Sequence, residues 1–388
     1  MQVNGTRQGF IRKNLDKEMA HGSFCPAPLT SVLPLQLSNE CQMMLGECSL
    51  KLGELRGMAR FVPNADMYIT MYVRKEALLS AQIEGTQCTF DDVLDPDNDA
   101  ITHREVSEVV SYVNALSFAV NRMSELPICM RLLRETHEVL LRNSRGESKS
   151  PGELRTSQNW IGPAGCLLGE APYVPPNVED MKEALAELER FINSDIEINP
   201  IVKAALIHYQ FETIHPFLDG NGRLGRLLIT LSLINDGVLP DAIFYPSYQL
   251  KRRRDEYYRK LTDVRENGTY ESWVEFFCSS LLASANDAVS SMDKLVETHQ
   301  WAERQIRLNM SRGTSNGLAL LELIERHPIV DIPLAVKELG LSRTTTSSLI
   351  GTFCDLGILK LRDEGKQRYR VYLFERYLDI LRGGAEPL

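Results

Sequence analysis

The stretch His215-Pro-Phe-Leu-Asp-Gly-Asn-Gly-Arg-Leu-Gly-Arg226 lies between two strongly apolar segments, 202–214 and 227–234. The glycines of the turn 219–222 permit positive φ, so successive backbone N–H groups can point in one direction. The turn leads directly into the expected start of a helix, and a helix N-terminus also attracts negative charge. The sequence therefore predicts an anion-binding loop between two buried helices.

The side chains of this loop suit the same kind of ligand. Arg223 and Arg226 are three residues apart and therefore occupy neighbouring positions on one helix face. Two cations at a helix N-terminus oppose the helix macrodipole, which favours a bound polyanion such as the phosphates of a nucleotide. Asp219 is placed to hold a Mg²⁺ ion that bridges those phosphates, and His215 is placed to act as a base. Each residue alone has an ordinary structural explanation, but their concentration in one loop favours a functional site.

Composition limits the class of protein around this loop. The chain has 388 residues, with 43 Lys and Arg against 52 Asp and Glu, and a net charge of −9. Such a composition is typical of a globular protein of two or three domains and excludes a long disordered or fibrous chain. The acidic balance argues against non-specific nucleic-acid binding as the main task.

No membrane span or signal segment is predicted, because no apolar stretch reaches roughly 18 residues and the N-terminus has no apolar core. The eight cysteines form no CxxC pair, so we expect free thiols in the reducing cytosol rather than a zinc site or a disulfide framework. The expected location is cytoplasmic.

The chain is expected to be mainly α-helical. Apolar residues recur at helical spacing from about residue 37 to residue 299. The Gly- and Pro-rich stretch 159–176 is predicted to form a hairpin or long loop on this body. The predicted divisions are an irregular N-terminal lead-in at 1–36, a helical region at 37–125, a core at 126–283, a polar linker helix at 284–312 and a C-terminal domain at 313–388.

The C-terminal domain is expected to contain three helices followed by a β-hairpin. The helices are predicted at 318–326, at 332–339 before Gly340, and from Ser342 to about residue 355; the strand-like runs are 358–361 and 367–373. This order resembles a winged helix-turn-helix domain. Its ten basic residues are balanced by ten acidic ones, although positive charge gathers at 360–370. DNA binding is therefore the less favoured role, and protein docking or support of a dimer is the favoured one.

The loop also carries a family resemblance. It matches the signature HxFx(D/E)GNGRxxR of the Fic family at every specified position, and the resemblance extends over about residues 37–300. The implied fold is a Fic-type helical bundle with a small β-hairpin flap near 159–173, to which a segment of the target adds as an extra strand. A homodimer is also implied by the resemblance.

The resemblance implies a chemical role for each matching residue. His215 would be the general base for a target hydroxyl, and Asp219 would coordinate Mg²⁺ between the α- and β-phosphates of ATP. The phosphates would be cradled and contacted by Gly220, Asn221, Gly222, Arg223 and Arg226. The implied reaction is AMPylation, in which AMP passes to a Ser, Thr or Tyr hydroxyl of a target protein, or of the chain itself, and pyrophosphate leaves.

A second motif, Ser80-Ala-Gln-Ile-Glu84-Gly85, matches the inhibitory signature (S/T)xxxE(G/N) of the same family. Ser80 and Glu84 are four residues apart and share a helix face. Gly85 is a candidate helix end, which places Glu84 in the last turn, where a negative charge opposes the macrodipole. An ion pair between Glu84 and Arg226 would relieve both charges and occupy the arginine that should orient the γ-phosphate. An autoinhibited adenylyltransferase is the resulting hypothesis.

Two other functions stay open at this point. The same site could chiefly remove AMP from a modified protein, as in family members whose inhibitory glutamate positions a water molecule. The chain could instead be a DNA-binding regulator whose Fic body senses a nucleotide, although the intact His215 favours an enzyme. The adenine pocket is poorly defined by sequence: Gln210 and Tyr257 are candidates by proximity, with core packing as the alternative for Tyr257.

Overall fold

The structure is a computed structural model that describes residues 7–14, 20–61, 65–95, 100–144, 146–163, 165–310, 313–363 and 370–388. It is mainly helical, as the periodicity predicted. The helices are α1 Leu29–Val32, α2 Asn39–Phe61, α3 Ala65–Ile83, α4 Phe90–Leu94, α5 Ala100–Arg122, α6 Met130–Leu141, α7 Val178–Ile192, α8 Pro200–Ile214, α9 Asn221–Asn235, α10 Ser247–Arg252, α11 Arg254–Asn267, α12 Tyr270–Asn309, α13 Thr314–Arg326, α14 Ile332–Leu339, α15 Arg343–Asp355 and α16 Glu375–Arg382. The strands are β1 Gly9–Asn14, β2 His21–Pro26, β3 Ile329–Asp331, β4 Lys360–Leu361 and β5 Val371–Leu373. None of the helices described is long and apolar enough to cross a membrane.

The two helices that flank the signature loop form the centre of the molecule. Helix α8 is buried along almost its whole length, and α9 is buried from Asn221 to Leu233 with few exceptions, because both are apolar on nearly every face. They pack against each other, and α5 and α6 also contact α9. The loop between α8 and α9 is therefore held by a rigid core on both sides.

The longest helix, α12, corrects the prediction of a linker helix at 284–312. It begins at Tyr270 and continues unbroken to Asn309, and it packs against α2, α8, α13 and α16. Leu295, Ala302 and Ile306 are fully buried in its C-terminal half. That half carries many polar residues because only one of its faces is covered. Residues 311–312 lie outside the described part of the chain, and the domain boundaries stay predictions.

The N-terminal region contains a β-hairpin, so the prediction of a wholly irregular lead-in at 1–36 was wrong. Strands β1 and β2 pair antiparallel, with Gly9 opposite Pro26. A Cβ atom at Gly9 would lie 2.0 Å from the Cys25 carbonyl oxygen, so only glycine permits this close approach. The N–H of Phe24 in β2 donates to the Val174 carbonyl at 2.9 Å, which joins the hairpin to the predicted flap.

The predicted flap at 159–176 is present in a reduced form. Ile161 and Tyr173 form an antiparallel bridge with N–H to O distances between their backbones of 2.9 and 3.3 Å. A short 3₁₀ turn, Leu168–Glu170, lies between them. The segment is thus a long loop closed by one bridge, without an extended pair of strands among its described residues.

The C-terminal region begins with the three predicted helices, α13, α14 and α15. Gly340 ends α14 in a left-handed conformation, and the Ser342 hydroxyl starts α15 by accepting from the Thr345 N–H. A third strand, β3, was not predicted; it pairs with β5, which pairs with β4. Helix α16 was also missed, and it packs on α12 and α4. The residues 364–369 of the predicted wing lie outside the described residues, and the winged-helix assignment stays a prediction.

All eight cysteines are free thiols, as expected. Most are buried, and only Cys129, Cys166 and Cys354 are partly exposed. Burial raises the pKa of the Cys25 thiol to about 12, with a further contribution from its hydrogen bond to Asp180. Such a thiol stays protonated at neutral pH, which is typical of a structural cysteine.

Candidate active site

The signature loop joins α8 to α9 through two residues with left-handed backbone. His215 follows the last residue of α8 with φ 49° and ψ 63°, and Gly220 precedes the first residue of α9 with φ 77°. Non-glycine residues seldom adopt this conformation, and it is concentrated at functional sites. The His215 N–H still donates to the Phe211 carbonyl, so the helix remains capped while the chain turns away from it.

A cleft of about 370 Å³ lies over the N-terminus of α9. Its lining consists of Glu84, Glu108, His215 and residues 218–223. The first N–H groups of a helix have no partner within that helix, and in α9 the Leu224 N–H makes the first such bond, to the Gly220 carbonyl. The cleft therefore has the helix-terminal donors that the predicted anion site requires.

Arg223 supplies a buried cation to this cleft. Its side chain is 6% exposed, and the one ion pair that it makes among the described residues is long, with Nη2 3.5 Å from Asp219 Oδ1. Its Nε and Nη1 atoms are buried and make no hydrogen bond within the described residues. Buried donors are nearly always satisfied, and a guanidinium fits a phosphate with two parallel hydrogen bonds. These open donors are suited to a phosphate group.

The Asn221 side chain stabilises the loop itself. Its Oδ1 accepts from the Phe217 N–H at 2.9 Å, and its Nδ2 donates to the Phe217 carbonyl at 2.8 Å. This amide is therefore committed to the loop. The predicted phosphate cradle at Gly220, Asn221 and Gly222 can then use the main chain of Asn221 but not its side chain.

Asp219 is compatible with a magnesium ion that arrives with a nucleotide. Its carboxylate is 39% exposed at the cleft, and Oδ1 accepts from the Gly220 N–H at 2.6 Å. The described residues contain no group of three or more His, Cys, Asp or Glu side chains suited to a metal ion. Protein sites for Mg²⁺ commonly use only one or two carboxylates together with substrate phosphates, so a single aspartate fits this ion.

His215 has the protonation state that a base requires. Burial lowers the pKa of its imidazole to about 4, and the positive charge of Arg265 acts in the same direction. Its Nδ1 lies 3.4 Å from the Glu212 carbonyl oxygen. The ring is therefore neutral at pH 7 and retains a lone pair for a proton.

The predicted contact between Glu84 and Arg226 is present. Arg226 Nη2 lies 2.6 Å from Glu84 Oε1, and the same guanidinium donates to Ser80 through Nε to the hydroxyl at 2.9 Å and through Nη2 to the carbonyl at 3.1 Å. Helix α3 ends at Ile83, so Glu84 stands one residue beyond the predicted last turn, and Gly85 follows with φ 97°. Ser80 and Glu84 thus both accept hydrogen bonds from the Arg226 guanidinium.

Charge stabilises this contact. Partial desolvation raises the pKa of the Glu84 carboxyl, but the charge and hydrogen bond of Arg226 outweigh it and hold the pKa below its ordinary value. Arg226 is desolvated as well, yet the negative charge of Glu84 leaves the pKa of its guanidinium raised. Both groups are ionised at neutral pH, and the guanidinium, 1% exposed, has no other carboxylate as a hydrogen-bond partner among the described residues.

Two family models cover most of the region that holds these residues. The model described as "Fic/DOC family N-terminal" matches residues 43–121, and the one described as "Fic/DOC family" matches residues 127–233. Residues 43–233 of the chain belong to the Fic/DOC family. The motif Ser80–Gly85 lies in the first matched segment, and the signature loop lies in the second.

The Fic chain resembles curated proteins named "Protein adenylyltransferase Fic". That of Drosophila yakuba is 27% identical over 225 residues, which are 56% of this chain and 41% of the fly protein. The match thus spans about two fifths of the length of such relatives.

Solved structures show the same fold. A Fic family protein from Desulfovibrio desulfuricans G20 is 22% identical with a TM-score of 0.54, over 88% of this chain and 97% of the other. A Fic domain containing signaling protein from Bacteroides thetaiotaomicron VPI-5482 is 19% identical with a TM-score of 0.50, over 64% of this chain and 97% of the other.

The candidate adenine-pocket residues are not brought to the Fic cleft. Gln210 is buried and donates to the Ala27 carbonyl at 3.1 Å. The Tyr257 hydroxyl lies 2.9 Å from Nε2 of His208, and the ring is fully buried beside Trp273. Core packing, the alternative for Tyr257, is what the structure shows.

Sequence reasoning missed residues that hold the Fic loop from outside. Arg155 is 1% exposed and donates to the His215 carbonyl at 3.1 Å, to the Ser157 carbonyl at 3.3 Å and to the Pro176 carbonyl. Asn159 Nδ2 donates to the carbonyls of His215 and Phe217. These contacts tie His215 to both ends of the flap. A buried arginine gives no sequence signal of its partners, because they are distant backbone carbonyls.

Two further side chains were missed. Glu108 in α5 is 2% exposed, lines the cleft and accepts from the Thr86 hydroxyl at 3.3 Å. His137 in α6 is fully buried beside the loop. Both stand at inward positions of amphipathic helices, where a polar residue in an apolar stripe was the available signal.

Proposed function

We propose that the chain is a Mg²⁺- and ATP-dependent protein adenylyltransferase that Glu84 holds inactive. The observation that carries the proposal is the buried Arg223 guanidinium, whose two open donors lie at the N-terminus of α9. This phosphate-type site shares one cleft with the neutral imidazole of His215. The names of the curated fly relatives agree with the same activity.

In this proposal the reaction is an in-line transfer of AMP. The His215 lone pair takes the proton of a Ser, Thr or Tyr hydroxyl, the hydroxyl oxygen attacks the α-phosphorus of ATP, and pyrophosphate leaves. Arg223 and the first N–H groups of α9 neutralise charge that develops on the phosphates. A Mg²⁺ ion at the Asp219 carboxylate would supply further neutralisation of phosphate charge.

The proposed inhibition acts on Arg226. Its guanidinium is occupied by Glu84 and Ser80, so it is unavailable to a γ-phosphate. A Cβ atom built at Gly222 would lie 2.3 Å from Glu84 Oε1, which puts the carboxylate directly against the first turn of α9. A negative charge there repels a phosphate group from the donors that would bind it.

The flap is the proposed place of the target protein. It closes through the Ile161–Tyr173 bridge, and Trp160 and Leu167 are exposed along it. Main-chain pairing with a target segment reads little side-chain identity. Another protein, or another part of this chain, could therefore supply the hydroxyl.

The experiment compares wild type, Glu84→Gly and His215→Ala, each with Mg²⁺ and ATP labelled at the α-phosphate. We expect strong protein labelling by Glu84→Gly, weak labelling by wild type and none by His215→Ala. No label on any of the three, with ATP bound, would contradict AMP transfer. Release of AMP from an already modified protein by wild type would then favour the reverse reaction.

Roles of the C-terminal region are tested separately. Salt-dependent binding of duplex DNA that is lost on truncation after Gly313 would establish DNA binding. A size measurement in solution would decide on the homodimer that the family resemblance implies.

A further inference from the structure

Beyond the residues of the signature, His137 holds the catalytic loop from the opposite side. Its Nδ1 accepts from the Gly152 N–H at 2.9 Å, so the ring proton must sit on Nε2. That Nε2 donates to the Asp219 carbonyl oxygen at 2.9 Å. The ring also stacks on Phe217, with centroids 3.8 Å apart and planes 16° apart. One buried ring thus contacts two positions of the loop, Phe217 and Asp219.

The neighbouring Gly220 shows how closely this ring is fitted. A Cβ atom there would lie 3.0 Å from Leu141 Cδ2 and 3.3 Å from His137 Nε2. Gly220 has φ 77°, which also favours glycine. The turn that carries the Asp219 carboxylate can therefore approach the ring only through this glycine.

We propose that His137 is a positioning residue that aims the Asp219 carboxylate at the metal-bearing phosphates. This inference rests on the proposed function. Its physical basis is the hydrogen bond from His137 Nε2 to the Asp219 carbonyl. The Gly152 N–H donates to Nδ1 of the same ring and so keeps the ring proton on Nε2. Partners that orient a metal ligand usually affect metal affinity or activity about 10–100-fold.

The test places His137→Phe and His137→Gln in the Glu84→Gly background. Phenylalanine keeps the stacking surface and loses both hydrogen bonds, whereas glutamine retains a donor and an acceptor. We expect His137→Phe to raise the Mg²⁺ concentration for half-maximal AMP transfer about 10-fold, and His137→Gln to restore part of it. Glu138→Gln, an exposed change on the same helix, is the matched control.

A second readout needs no catalysis. Hydrogen exchange at the amides of 219–223 should be faster in His137→Phe than in Glu138→Gln, with exchange in α8 unchanged. A uniform loss of activity at every Mg²⁺ concentration, with unchanged exchange in the loop, would overturn the positioning role. If the Glu84→Gly parent transfers no AMP, the proposed function fails while hydrogen exchange still decides on His137.

A different set of contacts connects the C-terminal segment to the inhibitory motif. Gln82 lies two residues before Glu84, is fully buried, and donates to the Ala385 carbonyl at 2.9 Å. Lys251 in α10 donates to the carbonyls of Gly384 and Glu386. Residues 384–386 are thus bound to the last turn of α3 and to α10.

The C-terminal region also binds the chain just after the motif, at α4. Arg382 in α16 forms two parallel hydrogen bonds with Asp91 in α4, from Nε and Nη2, each at 2.7 Å. Arg362 pairs with Asp95 at the end of α4 at 2.5 Å. Bidentate pairs of this kind are stronger and more specific than ordinary surface contacts. Glu84 therefore lies between two attachments to the C-terminal region.

From these contacts we infer that the C-terminal segment 375–388 keeps Glu84 on Arg226, and that drawing α16 away from α4 releases the site. This second inference also rests on the proposed function. It makes the C-terminal region the regulator of the inhibitory contact, in line with the protein-docking role favoured by its balanced charge.

The test compares Arg382→Gln with Arg376→Gln in the full chain. Arg376 lies on the same helix but stacks on Trp301 of α12, at 4.7 Å from the ring centroid, so it controls for general damage to α16. We expect Arg382→Gln to raise AMP transfer at least about fivefold and Arg376→Gln to leave it unchanged. In the Glu84→Gly background Arg382→Gln should add nothing, because the contact is already gone.

Equal activities of the two variants, or the same increase in the Glu84→Gly background, would overturn this inference. Faster hydrogen exchange at the amides of 81–86 in Arg382→Gln is expected whether or not AMP is transferred. Absence of transfer by Glu84→Gly would therefore reject the proposed function without deciding the connection between α16 and the motif.

Discussion

The Oε1 atom of Glu84 lies 2.6 Å from Nη2 of Arg226, although 142 positions separate the two residues in the chain. The pair is asymmetric, because the guanidinium is 1% exposed and the carboxylate is 38% exposed. A buried cation that loses its partner is strongly destabilised, whereas an exposed carboxylate is rehydrated at little cost. Removal of Glu84 therefore leaves Arg226 in need of an anion.

A neutral replacement of Glu84 should show the effect of leaving the Arg226 charge unpaired. Glu84→Gln keeps the shape of the side chain but removes its charge, so we expect a lower midpoint of thermal unfolding without nucleotide and a larger upward shift on addition of Mg²⁺ and ATP than in wild type. AMP transfer should lie between wild type and Glu84→Gly, because the amide still contacts Arg226. Glu47→Gln, an exposed change in α2, is the control. Identical nucleotide shifts in Glu84→Gln and wild type would contradict the explanation.

Arg223 should limit stability while it enables binding. Its Nε and Nη1 are buried without partners among the described residues, and such donors cost about 1–3 kcal/mol each. We expect Arg223→Met to leave the unfolding midpoint unchanged or raise it, and to weaken ATP binding at least about tenfold, measured by calorimetry.

The matched control for Arg223 is Arg155. Arg155 is also buried, but its guanidinium donates to three backbone carbonyls. Arg155→Met removes these three hydrogen bonds, although the His215 carbonyl keeps the one from Asn159 Nδ2, and should destabilise the fold by about 2–4 kcal/mol. If the two substitutions lowered the midpoint equally, Arg223 would be a structural arginine rather than one held open for a phosphate.

Local chemistry made much of the site predictable from sequence. The physical reason for the turn 219–222, for the two arginines after it and for the spacing of Ser80 and Glu84 is local in each case. The structure brings the turn, Arg223 and Glu84 into one cleft, and Ser80 and Glu84 both bind Arg226. The helical body was predictable for the same reason, since periodicity along one helix is a local signal.

The features that sequence reasoning missed depend on distant partners. His137 matters because of a carbonyl 82 positions away, and Arg155 because of carbonyls on either side of the flap. Strand β3 was missed since three residues carry too little alternation, and it exists because β5 pairs with it. The polarity of residues 284–312 suggested a spacer because burial of one face by α13 and α16 cannot be read from composition.

The low pKa of His215 predicts an unusual pH profile. Burial, followed by the charge of Arg265, lowers the pKa to about 4, so the imidazole is already a free base well below neutrality. In the Glu84→Gly background we expect kcat/KM, which reports the free enzyme, to be flat between about pH 6 and 8 and to fall about tenfold per unit below about pH 4. A fall centred near the ordinary histidine value of about 6.5 would contradict the assignment of an unprotonated base. Circular dichroism at each pH separates this loss from acid unfolding.

Glu212, three residues before His215, should make the folded protein less stable as pH rises, whereas the activity that depends on His215 falls as pH drops. Burial raises the pKa of its carboxyl to about 7, although the charge of Arg226 acts against the shift, and its Oε1 has no hydrogen-bond partner among the described residues. Between about pH 4.5 and 7 the folded state therefore holds a proton that the unfolded state has released, so the contribution of Glu212 to stability is lost as pH rises through this window. Glu212→Gln does not titrate, so we expect its stability relative to wild type to increase by about 1–3 kcal/mol from pH 4.5 to 7.5 in urea unfolding. A difference that stays constant with pH would show that Glu212 is ionised throughout and paired with a cation in the folded protein.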